Sequence, residues 1–353
     1  MTQDQWPAGK HYVQTASLPA AFFANVDAGG DRDLLVSKVD GEWRGISWRR
    51  VADQVRRLAS ILVEHGIEAG DRVLVSAENR PEWAVADLAV MSIGAIVVPA
   101  YTTNTEDDHH YIMDHSGASV AITSGGVLAT RIALAASRAT SLHTLIVMDE
   151  RFSPPDGMRQ QLLHWHSVID DAPPLADLED RIATQQPDDV CCFIYTSGTG
   201  GRPKGVMLTH RSIQANITAA IELLREGDVI ENQRFLSLLP LSHSYEHTAG
   251  QFLPISIGAQ IYYSEGVDKL TGNISEVRPT VLTAVPRLYE AMHGRIIRGV
   301  EQAGGLKQTM FMKAVKIGQR RYEDPASLGP IDRILDGLLD KLVRSKVQER
   351  FGG

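Results

Sequence analysis

The stretch DRVLVSAENRPEWAVADLAVMSIGAIVVPA, residues 71–100, decides the architecture. Residues 71–77 read as a strand. Residues 81–94 read as a helix, opened by Pro81, whose fixed φ suits a first helical turn, and closed by Gly94. Residues 95–100 form a short apolar run that reads as a buried strand. Strand, helix and strand with near-continuous apolar strands is the repeating unit of a parallel sheet covered by helices on both faces.

The same alternation continues on either side. SWRRVADQVRRLASILVEHG (47–66) puts Val51, Val55, Leu58, Ile61 and Leu62 on one helical face and stops at Gly66. DDHHYIMDHSG (107–117) reads as another helix with a glycine stop, and ASVAITS (118–124) and LHTLIVMD (142–149) read as strands. A polar segment with four prolines, 151–180, reads as an excursion between layers. DDVCCFIYTSG (188–198) is a buried strand feeding a glycine loop. Further on, 210–224 reads as a helix, 234–240 and 279–285 as strands, and 331–353 as an amphipathic helix. The expected fold is doubly wound α/β with mostly parallel sheets, in two subdomains, 1–190 and 191–353.

Composition narrows the function classes. A length of 353 residues allows two domains, and 43% hydrophobic with 22% charged residues is ordinary for a chain with a real core. A net charge of −8 with no long basic run argues against a nucleic-acid partner. The first residues lack the basic and apolar regions of a signal peptide. The longest apolar run, Leu88–Ala100, is interrupted by Ser92, Gly94 and Pro99 and is too short to span a bilayer. The two cysteines, Cys191 and Cys192, are adjacent in an apolar run, which fits buried thiols in a reducing cytoplasm rather than a disulfide or metal site. A cytoplasmic location follows as the expectation. Peripheral membrane contact and a homodimer are left open.

The chemistry is concentrated in YTSGTGGRPKGVMLTH (195–210). Thr196, Ser197 and Thr199 alternate with Gly198, Gly200 and Gly201, and Lys204 and Gly205 follow. Glycines let backbone N–H groups converge on an anion, hydroxyls donate further bonds, and the lysine adds charge. The loop is not a Walker motif, because Pro203 replaces the second glycine and Gly205 the hydroxyl residue after the lysine. A dinucleotide fingerprint fails at Pro203 as well. On composition alone, a solvated hairpin with a surface lysine competes with the anion reading.

The stretch resembles the signature loop of the adenylate-forming (AMP-dependent synthetase and ligase) superfamily, with Gly200 where threonine is common. GIEAGDRVLVSAENRPEWAVADLAVMSIGAIVVPAYTTNT (66–105) resembles the early region of that superfamily. LSLLPLSHSYEHTAG (236–250) and PTVLTAVPRLYEAM (279–292) resemble its long-chain fatty-acid CoA ligase branch. The resemblance implies two steps. A fatty-acid carboxylate attacks the α-phosphate of ATP, giving acyl-AMP and pyrophosphate, and coenzyme A then displaces AMP to form a thioester. It implies that Thr196, Ser197, Gly198, Thr199, Gly200, Gly201 and Gly205 wrap the phosphates. It also implies that Lys204 neutralises the departing pyrophosphate, that the Thr196 hydroxyl binds Mg²⁺, and that His243 lies beside the acyl carboxylate. The superfamily's Tyr-Gly-x-Thr-Glu motif, ribose aspartate and C-terminal catalytic lysine have no counterpart. The resemblance is thus to the large N-terminal domain of such an enzyme, ending before its later strands and its C-terminal domain. Other carboxylate-adenylating ligases, such as a fatty-acyl-AMP ligase or an aryl-acid ligase, and a nucleotide- or acyl-binding module without turnover are the alternative readings.

HSYEH (243–247) also satisfies the inverted zinc-peptidase pattern H-x-x-E-H. That site needs both histidines on one helix with a third ligand, whereas Leu239–Ser242 reads as a strand end and turn. The acyl-pocket reading of His243 is preferred. Asp114, His115 and Ser116 are sequential, not a triad, and read as polar residues on a helix surface. His109 and His110 read as part of a solvated helix start.

Overall fold

The computed structural model describes residues 15–196, 201–226, 232–349 and 351–352. The chain divides into two compact units, Met1–Ser264 and Glu265–Gly353.

The first unit is built on two sheets. Its strands are β1 (Asp33–Val39), β2 (Glu42–Ser47), β3 (Arg72–Ser76), β4 (Ile96–Pro99), β5 (Val120–Thr123), β6 (Thr144–Val147), β7 (Gln161–His164), β8 (Val190–Thr196), β9 (Lys204–Thr209), β10 (Arg234–Ser237) and β11 (Gln260–Tyr263). The larger sheet has seven strands in the order β7-β6-β5-β3-β4-β8-β9. Its pairs are parallel from β7 through β8, and only β8 and β9 run antiparallel. The second sheet runs β10-β11-β1-β2 in this unit, with β1 and β2 forming an antiparallel hairpin.

The helices in chain order are α1 (Leu18–Gly29), α2 (Trp48–Glu64), α3 (Pro81–Ser92), α4 (Glu106–Ser116), α5 (Gly126–Arg138), α6 (Trp165–Asp171), α7 (Leu178–Thr184) and α8 (His210–Glu226). The deciding stretch folds as read: β3, α3 and β4 are almost wholly buried, and Val73, Leu74 and Val75 pair in parallel with Val97, Val98 and Pro99. α3 is apolar all round because it lies inside, not on a surface. The face Val51, Val55, Leu58 and Leu62 of α2 is fully buried.

Three readings need correction. The segment 151–180 is not a mere excursion: it holds β7 and α6 and begins α7, with β7 forming the outer strand beside β6. His109 is not solvated but has no exposed surface, and burial pushes its imidazole down to about 4. The strand expected over 279–285 is confined to Val281–Leu282.

The second unit is mainly helical, with long helices at Pro286–Ala303 and Gly305–Glu323 and a third at Pro330–Leu339. Ala314, Ile317, Leu328 and Leu339 make its small apolar centre. Asp336 ties helices together through Arg321 at 2.9 Å and Arg344 at 2.6 Å.

Candidate phosphate-loop site

β8 carries the loop to the carboxyl-terminal edge of the parallel sheet, where open α/β sheets bind their ligands. Along β8 the side chains are buried or half-buried until Thr196, which is exposed. Thr196 faces Lys204 across the β8–β9 pair, so the two ends of the loop are strand partners. Lys204 and Gly201 are exposed. Ser197, Gly198, Thr199 and Gly200 lie outside the described residues. Thr196, Lys204 and Gly205 therefore lie together at the loop end of the β8–β9 pair.

The exit of the loop rests on α4. The Tyr111 hydroxyl donates to the Pro203 carbonyl at 3.0 Å. The Arg202 guanidinium lies 5.3 Å from the centre of the Tyr111 ring. The Tyr195 hydroxyl and His115 Nδ1 are 2.8 Å apart. Burial, with Tyr111 nearby, pushes the Tyr195 hydroxyl up to about 12. Gly205 is small for a reason: a Cβ there would meet the Tyr195 ring at 3.2 Å. His115, read from sequence as a surface residue, thus reaches the signature strand.

α4 is held in place by its own ends. Thr105 and Asp108 form a reciprocal capping box, and Gly117 closes the helix in the left-handed region at φ 66°. Ile112 and Met113 anchor it in the core with Leu128 and Ile132 of α5.

His243 stands on a separate corner, and it is exposed. Its Nδ1 accepts from the Tyr245 amide at 3.2 Å, capping the short helix Ser244–Glu246. Because Nδ1 accepts that bond, Nε2 carries the N–H and can donate to an anionic oxygen. Asn79 fixes the corner from the β3 side: its Nδ2 donates to Leu239 O at 2.7 Å and Ser237 Oγ at 3.0 Å, and its Oδ1 accepts from the Leu241 amide at 3.2 Å.

Behind the corner the chain enters a π-helical turn, His247–Phe252, and a fully buried polar cluster. Asp87 Oδ2 accepts from Gln251 Nε2 at 2.6 Å and lies 2.9 Å from His247 Nε2. His247 Nδ1 faces Cys192 Sγ at 4.0 Å. Ser237 Oγ donates to Glu246 at 2.7 Å. Both nitrogens of His247 and the carboxylate of Glu246 thus have protein neighbours. Burial pushes the Cys191 and Cys192 thiols up, which disfavours the thiolate a nucleophile needs. Asp87, Gln251 and Asn79 were missed in the sequence because nothing in their spacing joins them to the HSYEH stretch.

Among the described residues, no helix is long and apolar enough to cross a membrane, and no group of three or more His, Cys, Asp or Glu residues could hold a metal ion. The exposed Thr196 offers a hard oxygen, the donor type that Mg²⁺ takes.

A family profile described as AMP-binding enzyme matches residues 22–328. Fatty acyl-CoA synthetase A of Dictyostelium discoideum is 28% identical over 332 residues, covering 92% of this chain and 47% of that protein. The long-chain-fatty-acid–CoA ligase FadD15 of Mycobacterium tuberculosis is 29% identical over 334 residues, covering 92% of this chain and 53% of that protein. The chain spans about half the length of these curated relatives. Among solved structures, an anthranilate CoA ligase, AuaEII, in complex with anthranoyl-AMP has a TM-score of 0.66 at 21% identity, over 79% of this chain and 51% of that one. That likeness concerns the fold.

Proposed function

The chain belongs to the AMP-binding enzyme family, and from that premise we propose that it carries the phosphate-binding part of a long-chain fatty-acid CoA ligase. The observation that supports this is the pairing of Thr196 with Lys204 at the mouths of one glycine loop on the carboxyl-terminal sheet edge. In this reading the loop from Thr196 to Gly205, including Ser197, Gly198, Thr199, Gly200 and Gly201, binds the β- and γ-phosphates of ATP. Lys204 offsets the charge that gathers on the departing pyrophosphate, and His243 Nε2 orients the fatty-acid carboxylate for attack on the α-phosphate. Mg²⁺, taken by the Thr196 hydroxyl, would supply charge neutralisation at the phosphates. Coenzyme A then takes the acyl group from the adenylate. Catalysis here is positioning and charge stabilisation, which needs no protein nucleophile.

Carboxylate-dependent exchange of pyrophosphate into ATP, measured with a ladder of acids on the polypeptide that carries this sequence, tests the proposal. Exchange driven best by long-chain acids is the expected result. Exchange driven only by aryl acids would overturn the long-chain assignment, and ATP binding without exchange under any acid would leave a binding module.

A further inference from the structure

We propose that Tyr111, on α4, is a positioning residue that aims Lys204 at the phosphates; this rests on the phosphate reading of the loop given above. The carbonyl that accepts the Tyr111 hydroxyl belongs to the peptide unit joining Pro203 to Lys204. Fixing that oxygen fixes the plane from which the Lys204 backbone departs, because the peptide unit is rigid. On the other side, Lys204 is pinned by its pairing with Thr196. Pro203 removes one further torsion through its ring. What remains free is the lysine side chain itself.

Two other contacts make the hold specific to this stretch. The face of the Tyr111 ring carries the Arg202 guanidinium at 5.3 Å, so one side chain grips the residues on both sides of the Arg202–Pro203 bond. One helical turn further along α4, His115 holds the Tyr195 hydroxyl, and the Tyr195 ring lies against Gly205. The two rings of Tyr111 and His115 are 5.2 Å apart, on one face of α4. Arg202, Pro203 and Gly205, on both sides of Lys204, therefore rest on groups ordered by a single helix. A loop that must place a cation against a polyanion gains affinity from such preorganisation, since less freedom is lost when the ligand arrives.

Tyr111→Phe removes the hydroxyl and keeps the ring under Arg202; Tyr111→Ala removes both. Hydrogen–deuterium exchange of the amides in 202–206, read without nucleotide, should rise roughly five- to tenfold in Tyr111→Phe, the factor that one net hydrogen bond carries. It should rise further in Tyr111→Ala. Half-saturation by ATP should rise by a similar factor, with half-saturation by the fatty acid unchanged and the melting midpoint of Tyr111→Phe within a few degrees of wild type. Unchanged exchange in both variants would overturn the proposal, as would an equal rise in half-saturation for both substrates. Raised exchange in a protein whose wild type shows no response to ATP would overturn the phosphate role given to Lys204, while leaving the hold of Tyr111 on the loop exit standing.

Discussion

Lys204 at the loop exit and His243 at the corner are both exposed, yet the two regions are supported by opposite means. Under Lys204 lie one tyrosine hydroxyl, one aromatic face and a half-buried tyrosine–histidine bond. Behind His243 lie Asp87, Glu246, His247 and Gln251, each with no exposed surface. A support at the rim can be loosened without opening the core. A support made of buried polar groups cannot, because each partner left behind is stranded away from water. Damage beneath the corner should therefore appear as lost folding, and damage at the loop exit as lost ligand geometry.

The largest effect is expected from Asp87→Ala. It strands His247 Nε2 and Gln251 Nε2, both of which meet the same carboxylate oxygen. Each buried donor left unsatisfied costs about 1–3 kcal/mol, so the pair should cost roughly 2–6 kcal/mol, to be read as a lower urea midpoint at unchanged slope. A variant within about 1 kcal/mol of wild type would break the contrast on the corner side, since surface substitutions alone stay near that size.

Lys204→Ala should do the converse. Its exposed side chain contributes little to folding, so the urea midpoint should stay put. Pyrophosphate exchange should fall about 10²- to 10³-fold, the loss that follows removal of one preorganised group acting on transition-state charge. Wild-type exchange in this variant would take Lys204 out of the proposed site.

How far the sequence reached differs between the two regions for the same physical reason. The loop is contiguous, and its glycines, hydroxyls and lysine declare an anion site within ten residues. β3, α3 and β4 were equally plain, because burial on all sides writes itself as unbroken apolar runs. The supports were not legible. Tyr111 meets Pro203 from 92 positions away, and His247 meets Asp87 from 160. No period or spacing encodes such partners; they are set by which strands are neighbours. The β1–β2 hairpin also escaped notice. The sequence shows Asp40 and Gly41, the positive-φ pair of its turn, but the flanking strands are half exposed and carry weak patterns.

The contrast sharpens when the histidines are titrated. The pH response of folding should come from buried imidazoles. His210 Nδ1 accepts from the Leu18 amide at 3.2 Å, and burial pushes its imidazole down from 6.5 to about 4. His109 is lowered in the same way. Between pH 6.5 and about 4 the unfolded chain holds protons that these folded rings refuse. Stability is therefore lost as pH falls through that window and levels off below it, with a slope of at most about 1.4 kcal/mol per pH unit for each group. His210→Asn keeps an acceptor for Leu18 without a titrating ring, so urea midpoints at pH 7, 6 and 5 should show a shallower decline. An undiminished decline would remove His210 from the account.

The smallest effect is expected at Gly205→Ala, and it separates the two kinds of support most finely. The backbone there has no positive φ, so alanine meets no conformational strain. What it meets is the Tyr195 ring, with ring atoms at 3.2 and 3.3 Å from the new Cβ. The ring must give by a few tenths of an ångström, but its hydroxyl is tied to His115 at 2.8 Å. Overpacking against a tethered group costs about 1 kcal/mol or slightly more. If the tether is what resists, Tyr195→Phe should let the ring slide, and the cost of Gly205→Ala in that background should shrink. The double-mutant cycle should then show a coupling of roughly 0.5 kcal/mol or greater, the size typical of residues in contact. Additive costs would mean that the strand, and not the tyrosine–histidine bond, sets the fit at Gly205. The fit at Gly205 would then be owed to β8 and β9, and the distinction between the support of the loop rim and that of the corner would narrow to Tyr111.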